Sequence, residues 1–347
     1  MRALPPLRVA ALVGLLAALA APSVLSQTVA GVGLGLFASD PDWDYGGLIT
    51  EIAELGATDV LIVVPWYQQD LHATSMQPRF GFSPTLPTVR RTLLQVQAAG
   101  LRATLMPIVL LAHTDHPRQW RGVLDPRVDG LPAVGRWWDG YADLVLAHAV
   151  LAQEAGAVRM VVGSELLSME GERDRWLDLI ARVRGVFDGR LLYSANWDHF
   201  PEVTFWSALD EVGVNGYFQI AEEGVRPDPA AIVAAWDEHL AALQTLGEQV
   251  GLPVLLTEIG YPSKVSAAAR AWCVCPTEAL DQDLQARLLD GFLQVVDRGT
   301  GGGPEGDSLP FQAFFLWNWF GAGGPQDGGF TPRGKPAEGV LRRWLQR

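Results

Sequence analysis

Short apolar runs rich in β-branched residues alternate along this chain with longer stretches whose apolar positions recur every three to four residues. Eight runs stand out, at residues 32–37, 59–65, 102–110, 158–162, 190–195, 211–215, 253–257 and 312–317. Helical spacing runs through 45–55, 89–99, 137–155, 174–187, 229–250, 280–298 and 337–345. Leu284, Leu288, Leu289, Phe292, Val295 and Val296 show the period, with polar residues between them. Strands alternating with helices are βα units, and eight in one series favour a single closed (β/α)8 TIM barrel over an open doubly wound sheet. The glycine- and proline-rich stretches at 299–304 and 321–329 flank the last strand as loops, so no second domain is expected.

Composition agrees with one large domain: 347 residues, 49% hydrophobic and 19% charged, can bury a barrel-sized core. The first residues differ from the rest. Arg2 and Arg8 precede an apolar run at 9–21, followed by Pro22, Ser23 and small residues suited to cleavage near Ala20 or Ser26. Such a segment reads as a secretory signal peptide over 1–26, leaving a catalytic domain over 27–347 that is exported, either secreted or periplasmic. Its apolar run is too short for a standard membrane span, so no stable membrane insertion is expected after cleavage. Net charge is −13, and −15 once Arg2 and Arg8 are removed. A field of that sign repels phosphate backbones, which argues against nucleic-acid partners and suits a neutral polysaccharide or oligosaccharide. Cys273 and Cys275 are one residue apart and cannot staple distant parts of the fold. A local disulfide, two free thiols and a metal site all remain open for them.

Active sites of such barrels lie at the carboxyl ends of the strands, and here those ends carry chemistry. Glu165 closes the fourth run in Val161-Val162-Gly163-Ser164-Glu165, and Glu258 closes the seventh in Leu255-Leu256-Thr257-Glu258-Ile259-Gly260-Tyr261. A carboxylate where an apolar strand meets a loop is costly unless it is used or paired, and a lone one often serves an arginine. Two facing each other across a barrel mouth suit glycosidic cleavage, which needs one protonated and one ionised carboxyl group. Thirteen tryptophans add to this, because sugar rings pack their CH faces on indole and phenol rings. Trp66, Trp197, Trp317 and Trp319 fall at strand ends as candidate sugar contacts or as core. Asn196, Asn215 and Tyr261 are candidate polar contacts, and Tyr217 is placed to donate a hydrogen bond that holds a nucleophilic carboxylate ionised.

Other chemistries fit less well. His113, His116 and His199 form no His-Glu-x-x-His helix or comparable cluster, so neither a metal nor another cofactor is expected. Gly31-Val32-Gly33-Leu34-Gly35 lacks the third glycine of a dinucleotide fingerprint, and Gly163-Ser164-Glu165 breaks the nucleophile-elbow frame.

The Gly-Ser-Glu and Thr-Glu-Ile-Gly-Tyr segments resemble those of glycoside hydrolase clan A, and within it the chain is most similar to family 113. The likeness spans the mature chain, including Asn215-Gly216-Tyr217, Phe314-Phe315-Leu316-Trp317-Asn318-Trp319 and Thr331-Pro332-Arg333-Gly334-Lys335-Pro336. It implies a retaining β-mannanase that acts on β-1,4 bonds by double displacement, with Glu165 as acid/base, holding the proton at rest, and Glu258 as nucleophile. One position departs. Clan A enzymes commonly carry asparagine before the acid/base to bind the sugar 2-hydroxyl, and this chain has Ser164 there, a candidate substrate contact. The axial 2-hydroxyl of mannose makes that position bear on substrate choice. Action on another β-glycan (glucan, xylan or exopolysaccharide) and a non-catalytic carbohydrate-binding barrel stay open as alternatives.

Overall fold

The computed structural model describes residues 29–300 and 309–347. The expected signal peptide at 1–26 lies outside the described residues. In chain order the strands are β1 (Val29–Gly35), β2 (Asp59–Gln68), β3 (Met76–Gln77), β4 (Arg102–Leu111), β5 (Arg159–Ser164), β6 (Arg190–Asn196), β7 (Glu211–Asn215), β8 (Val254–Ile259) and β9 (Ala313–Leu316). All except β3 run parallel, and β1 pairs with both β2 and β9, so eight strands close into the expected barrel. The short β3 folds back antiparallel on the end of β2, which extends that strand beyond the apolar run.

Helices α1 (Gly46–Leu55), α2 (Leu86–Ala98), α3 (Leu131–Glu154), α4 (Arg173–Arg184), α5 (Pro229–Val250), α6 (Gln282–Thr300) and α7 (Pro336–Leu345) surround it. Helix α2 begins three residues before the periodic pattern, because the Thr85 hydroxyl accepts the Thr88 N–H at 3.2 Å and Pro87 sits in the first turn. Between β6 and β7 the chain makes 3-10 turns at Phe200–Glu202 and Trp206–Ala208 in place of an α-helix. No helix among the described residues is long and apolar enough to cross a membrane.

Strand parity divides the core. Leu61, Val63, Met106, Ile108, Val161, Leu192, Leu255, Ala313 and Phe315 fill the barrel, while their strand neighbours face the helices. The β1 glycines make room for the aromatics of β9. A Cβ on Gly31 would lie 2.4 Å from the Phe315 ring, and one on Gly33 would lie 3.0 Å from Trp317. At the amino-terminal end, Asp59 and Glu211 are buried against Arg102, Arg159 and Arg190 at 2.8 to 3.4 Å. That end is thereby an ion-paired structural floor, and the opposite mouth is left for chemistry.

Candidate active site

Strand β5 shifts register against β6 between Val161 and Ser164. Gly163 is needed there: a Cβ would meet Trp176, Tyr141 and Tyr193 at 2.7 to 2.9 Å. Glu165 follows with φ of 53°, a left-handed backbone that costs a non-glycine residue about 1–3 kcal/mol and persists only where the surroundings enforce it. Here its N–H donates to the Ser194 carbonyl at 2.9 Å. The next residue is fixed as well, since the Leu166 N–H donates to the Tyr193 hydroxyl at 2.9 Å and that hydroxyl donates to Glu170 Oε1 at 2.7 Å.

The Glu165 carboxylate is held from two sides. Arg121 Nη2 donates to Oε2 at 2.6 Å and Asn215 Nδ2 donates to Oε1 at 2.9 Å. Arg121 also donates from Nε to the Ser164 carbonyl at 3.1 Å. The Asn215 amide is itself oriented, because Ser194 Oγ and Thr257 Oγ1 donate to its Oδ1 at 2.8 and 3.0 Å, leaving its NH2 free to donate upwards. Tyr217 donates its hydroxyl to Glu258 Oε2, as the sequence suggested. Burial, and then the negative charge of Glu165, push Glu258 up to about 8, opposed by Arg121 and by the Tyr217 hydrogen bond.

Two interacting carboxyls titrate as a unit, so the pair keeps one proton to about pH 8. Arg121, whose guanidinium lies on Glu165, sets a positive charge beside both carboxyls.

The other predicted residues separate into three groups. Asn196, Trp197 and Trp317 sit at the mouth with the carboxylates: Asn196 Nδ2 donates to Asp198 Oδ1 at 2.7 Å, and Trp317 packs edge-on to Phe37 above Gly33. Ser164 and Asn215 lie beneath, both buried, and the Ser164 hydroxyl is closed off from solvent. In this structure they support the carboxylates rather than face the opening. Trp66, Tyr261 and Trp319 are turned away from the site. Trp66 has the parity of Ile62 and Val64 and packs edge-on to His148 of α3; Trp319 donates Nε1 to Glu51 of α1 at 2.8 Å; Tyr261 is buried in the helix-facing core. An aromatic at a strand end faces the mouth only if its parity is inward, which the one-residue alternation decides.

Residues that motif reading passed over are Arg121, Glu170 and Trp272. Arg121 comes from the 3-10 turn Arg121–Val123 after β4, where no motif marks it; the only sequence signal is that a buried carboxylate calls for a cation. Glu170 is raised by burial, and His199 Nε2 lies 3.4 Å from its Oε2. Trp272 stacks on Trp197. Cys273 and Cys275 form the local disulfide, which resolves the three readings left open for them. Among the described residues, no group of three or more His, Cys, Asp and Glu side chains is placed to hold a metal ion.

A family model, Glycoside Hydrolase Family 113, matches residues 47–325. The chain belongs to that family. This family 113 chain is therefore a glycoside hydrolase by family and a (β/α)8 barrel by structure. Solved structures agree on the fold. The GH113 beta-mannanase from Alicyclobacillus acidocaldarius, in complex with ManMIm, superposes with a TM-score of 0.77 at 22% identity, covering 92% of this chain and 97% of that one. A GH113 beta-1,4-mannanase complex gives 0.78 at 20% identity, covering 92% and 99%. A GH5_18 protein from Bifidobacterium longum gives 0.59 at 16% identity, covering 92% and 78%. No curated protein sequence matches the chain.

Proposed function

We propose that this family 113 hydrolase cleaves β-1,4 bonds of mannan-type polysaccharides or manno-oligosaccharides with retention of anomeric configuration. The observation that carries the proposal is the buried pair Glu165 and Glu258 at the carboxyl ends of β5 and β8, with Tyr217 donating to Glu258 and Arg121 and Asn215 to Glu165. Double displacement needs two such carboxyls, one of them protonated. With a sugar bound, Glu165 carries the proton and delivers it to the departing glycosidic oxygen. Glu258, ionised and aimed by Tyr217, attacks the anomeric carbon and forms a glycosyl-enzyme. Glu165, now a base, takes a proton from water as the water attacks that carbon, and Glu258 is released. Mannan as substrate is supported by the mannanase names of the structural neighbours. The net charge of −13 fits a neutral polymer, and the leader-like 1–26 segment fits an exported enzyme meeting it outside the cytoplasm.

A second reading, action on another β-glycan, is favoured by one observation: the Ser164 hydroxyl is buried and cannot serve as a clan A asparagine would. Reducing-end release from β-mannan, glucomannan, cellulose, xylan and curdlan separates the two, and NMR of the first-formed anomer reports retention or inversion. Mannan cleavage with β-product first is expected. Glu165→Ala should be rescued by azide on a substrate with an activated leaving group, since its glycosylation step no longer needs the acid. Inverted product, or an equal rate without Glu165, would end the proposal.

A further inference from the structure

The loop after β8, residues 260–281, carries structure that the hydrolytic step does not use. It is well packed: Ala267, Ala268 and Ala271 are buried, and the Ile220 and Ala221 N–H groups both donate to the Ala268 carbonyl, at 2.7 and 3.0 Å. Lys264 Nζ donates to the Glu278 carbonyl at 2.9 Å, and Arg270 and Ser266 bond the Glu278 carboxylate. The Cys273–Cys275 disulfide closes the turn that follows Trp272. All this fixes one aromatic that stays in water. Trp272 remains 46% exposed while stacking on Trp197 at 5.3 Å between centroids and 19° between planes.

An isolated exposed tryptophan is ordinary; one held flat on a second tryptophan by a built loop, and joined to the catalytic strands, is not. Trp197 directly follows Asn196 at the end of β6, and its ring lies 6.5 Å from Phe218, which directly follows Tyr217. The aromatic wall thus begins one residue from the group that aims the nucleophile and runs outward to Trp272. Stacking uses one face of the Trp272 indole and leaves the other to solvent. Two residues before Trp272 in the chain, Arg270 forms an ion pair with Glu223 at 3.2 Å.

We infer that the open face of Trp272 is a distal sugar subsite, which takes the CH face of one hexose ring of a β-linked chain whose scissile bond lies over Glu165 and Glu258. A flat, rigid, apolar surface matches the face of a pyranose ring, which is apolar on its faces and polar around its rim. The inference rests on the glycan reading above and deepens it. A ring bound there is remote from the reacting carbon, so the subsite acts only on substrates long enough to span from Trp272 to the carboxylates.

The test compares wild type with Trp272→Ala and Trp272→Phe on β-1,4-manno-oligosaccharides from two to six units, measuring kcat/KM at each length. Binding of the same series to Glu258→Ala, alone and combined with Trp272→Ala, is measured by calorimetry alongside. In Trp272→Ala, kcat/KM and affinity should fall roughly tenfold for the longest oligosaccharides and stay unchanged for the shortest, with Trp272→Phe recovering most of the loss. Wild-type hydrolysis of mannans with a Trp272→Ala loss equal at every length, or no loss, would overturn the subsite and leave the mannanase reading standing. Failure of wild type to cleave, and of Glu258→Ala to bind, any of the series would overturn the mannan reading and this inference with it.

Discussion

Replacing Glu258 with glutamine should abolish turnover and, at the same time, stabilise the fold in a pH-dependent way. Glu258 is 5% exposed and faces the charge of Glu165, so its folded pKa of about 8 stands above the ordinary 4.5. A raised folded pKa means that the native state holds the proton more tightly than the unfolded chain. The native state therefore has its full share of stability below pH 4.5, loses it progressively as pH rises, and has lost it all above about pH 8. The interval between those values corresponds to a penalty of about 5 kcal/mol at most. Glutamine keeps the shape and an acceptor for Tyr217 but carries no charge, so the variant escapes the penalty. Thermal unfolding followed from pH 4.5 to 9 should show near-equal Tm at the acid end and a Glu258→Gln advantage of up to roughly 7 °C at the alkaline end for a barrel of this size. A difference that is flat with pH, or that grows toward acid, would refute the electrostatic reasoning.

Tyr217→Phe removes the donor that opposes the rise at Glu258, so kcat should fall about 10²–10³-fold and the alkaline limb of the kcat/KM profile should move to higher pH. Gly163→Ala forces a methyl into Trp176, Tyr141 and Tyr193; a loss of about 1–3 kcal/mol by denaturant titration is expected, together with lowered activity as the Glu165 backbone is displaced. Glu211→Ala removes the carboxylate shared by Arg159 and Arg190 at the opposite end of the barrel, leaving the largely buried Arg159 with Asp59 alone, and should cost about 3 kcal/mol, with kcat per folded molecule unchanged.

The architecture was legible because β-branched runs and helical periods are local signals, and every barrel strand falls within a few residues of its apolar run. The candidate pair was legible for the same reason: Glu165 and Glu258 end apolar strands, and in such barrels those ends are where active sites lie. What escaped was tertiary. Arg121 lies 44 positions before the carboxylate it binds, and nothing in its own neighbourhood marks it. The aromatic contacts failed at Trp66, Tyr261 and Trp319 because their side of the strand depends on parity, and near strand ends the register shifts seen at β5, β8 and β9 disturb it. The purpose of Gly31 and Gly33, clearance for Phe315 and Trp317, needed the β1–β9 pairing.

The central claim is that Glu258 bonds covalently to a mannosyl unit during turnover. It is tested most directly by trapping with a 2-deoxy-2-fluoro-mannoside carrying a good leaving group, then digesting the protein and locating the adduct by mass spectrometry. The account predicts one sugar on the peptide containing residues 254–260, attached at Glu258 and absent from Glu258→Gln. Continued turnover of mannan by Glu258→Gln, or an adduct on Glu165, would contradict it.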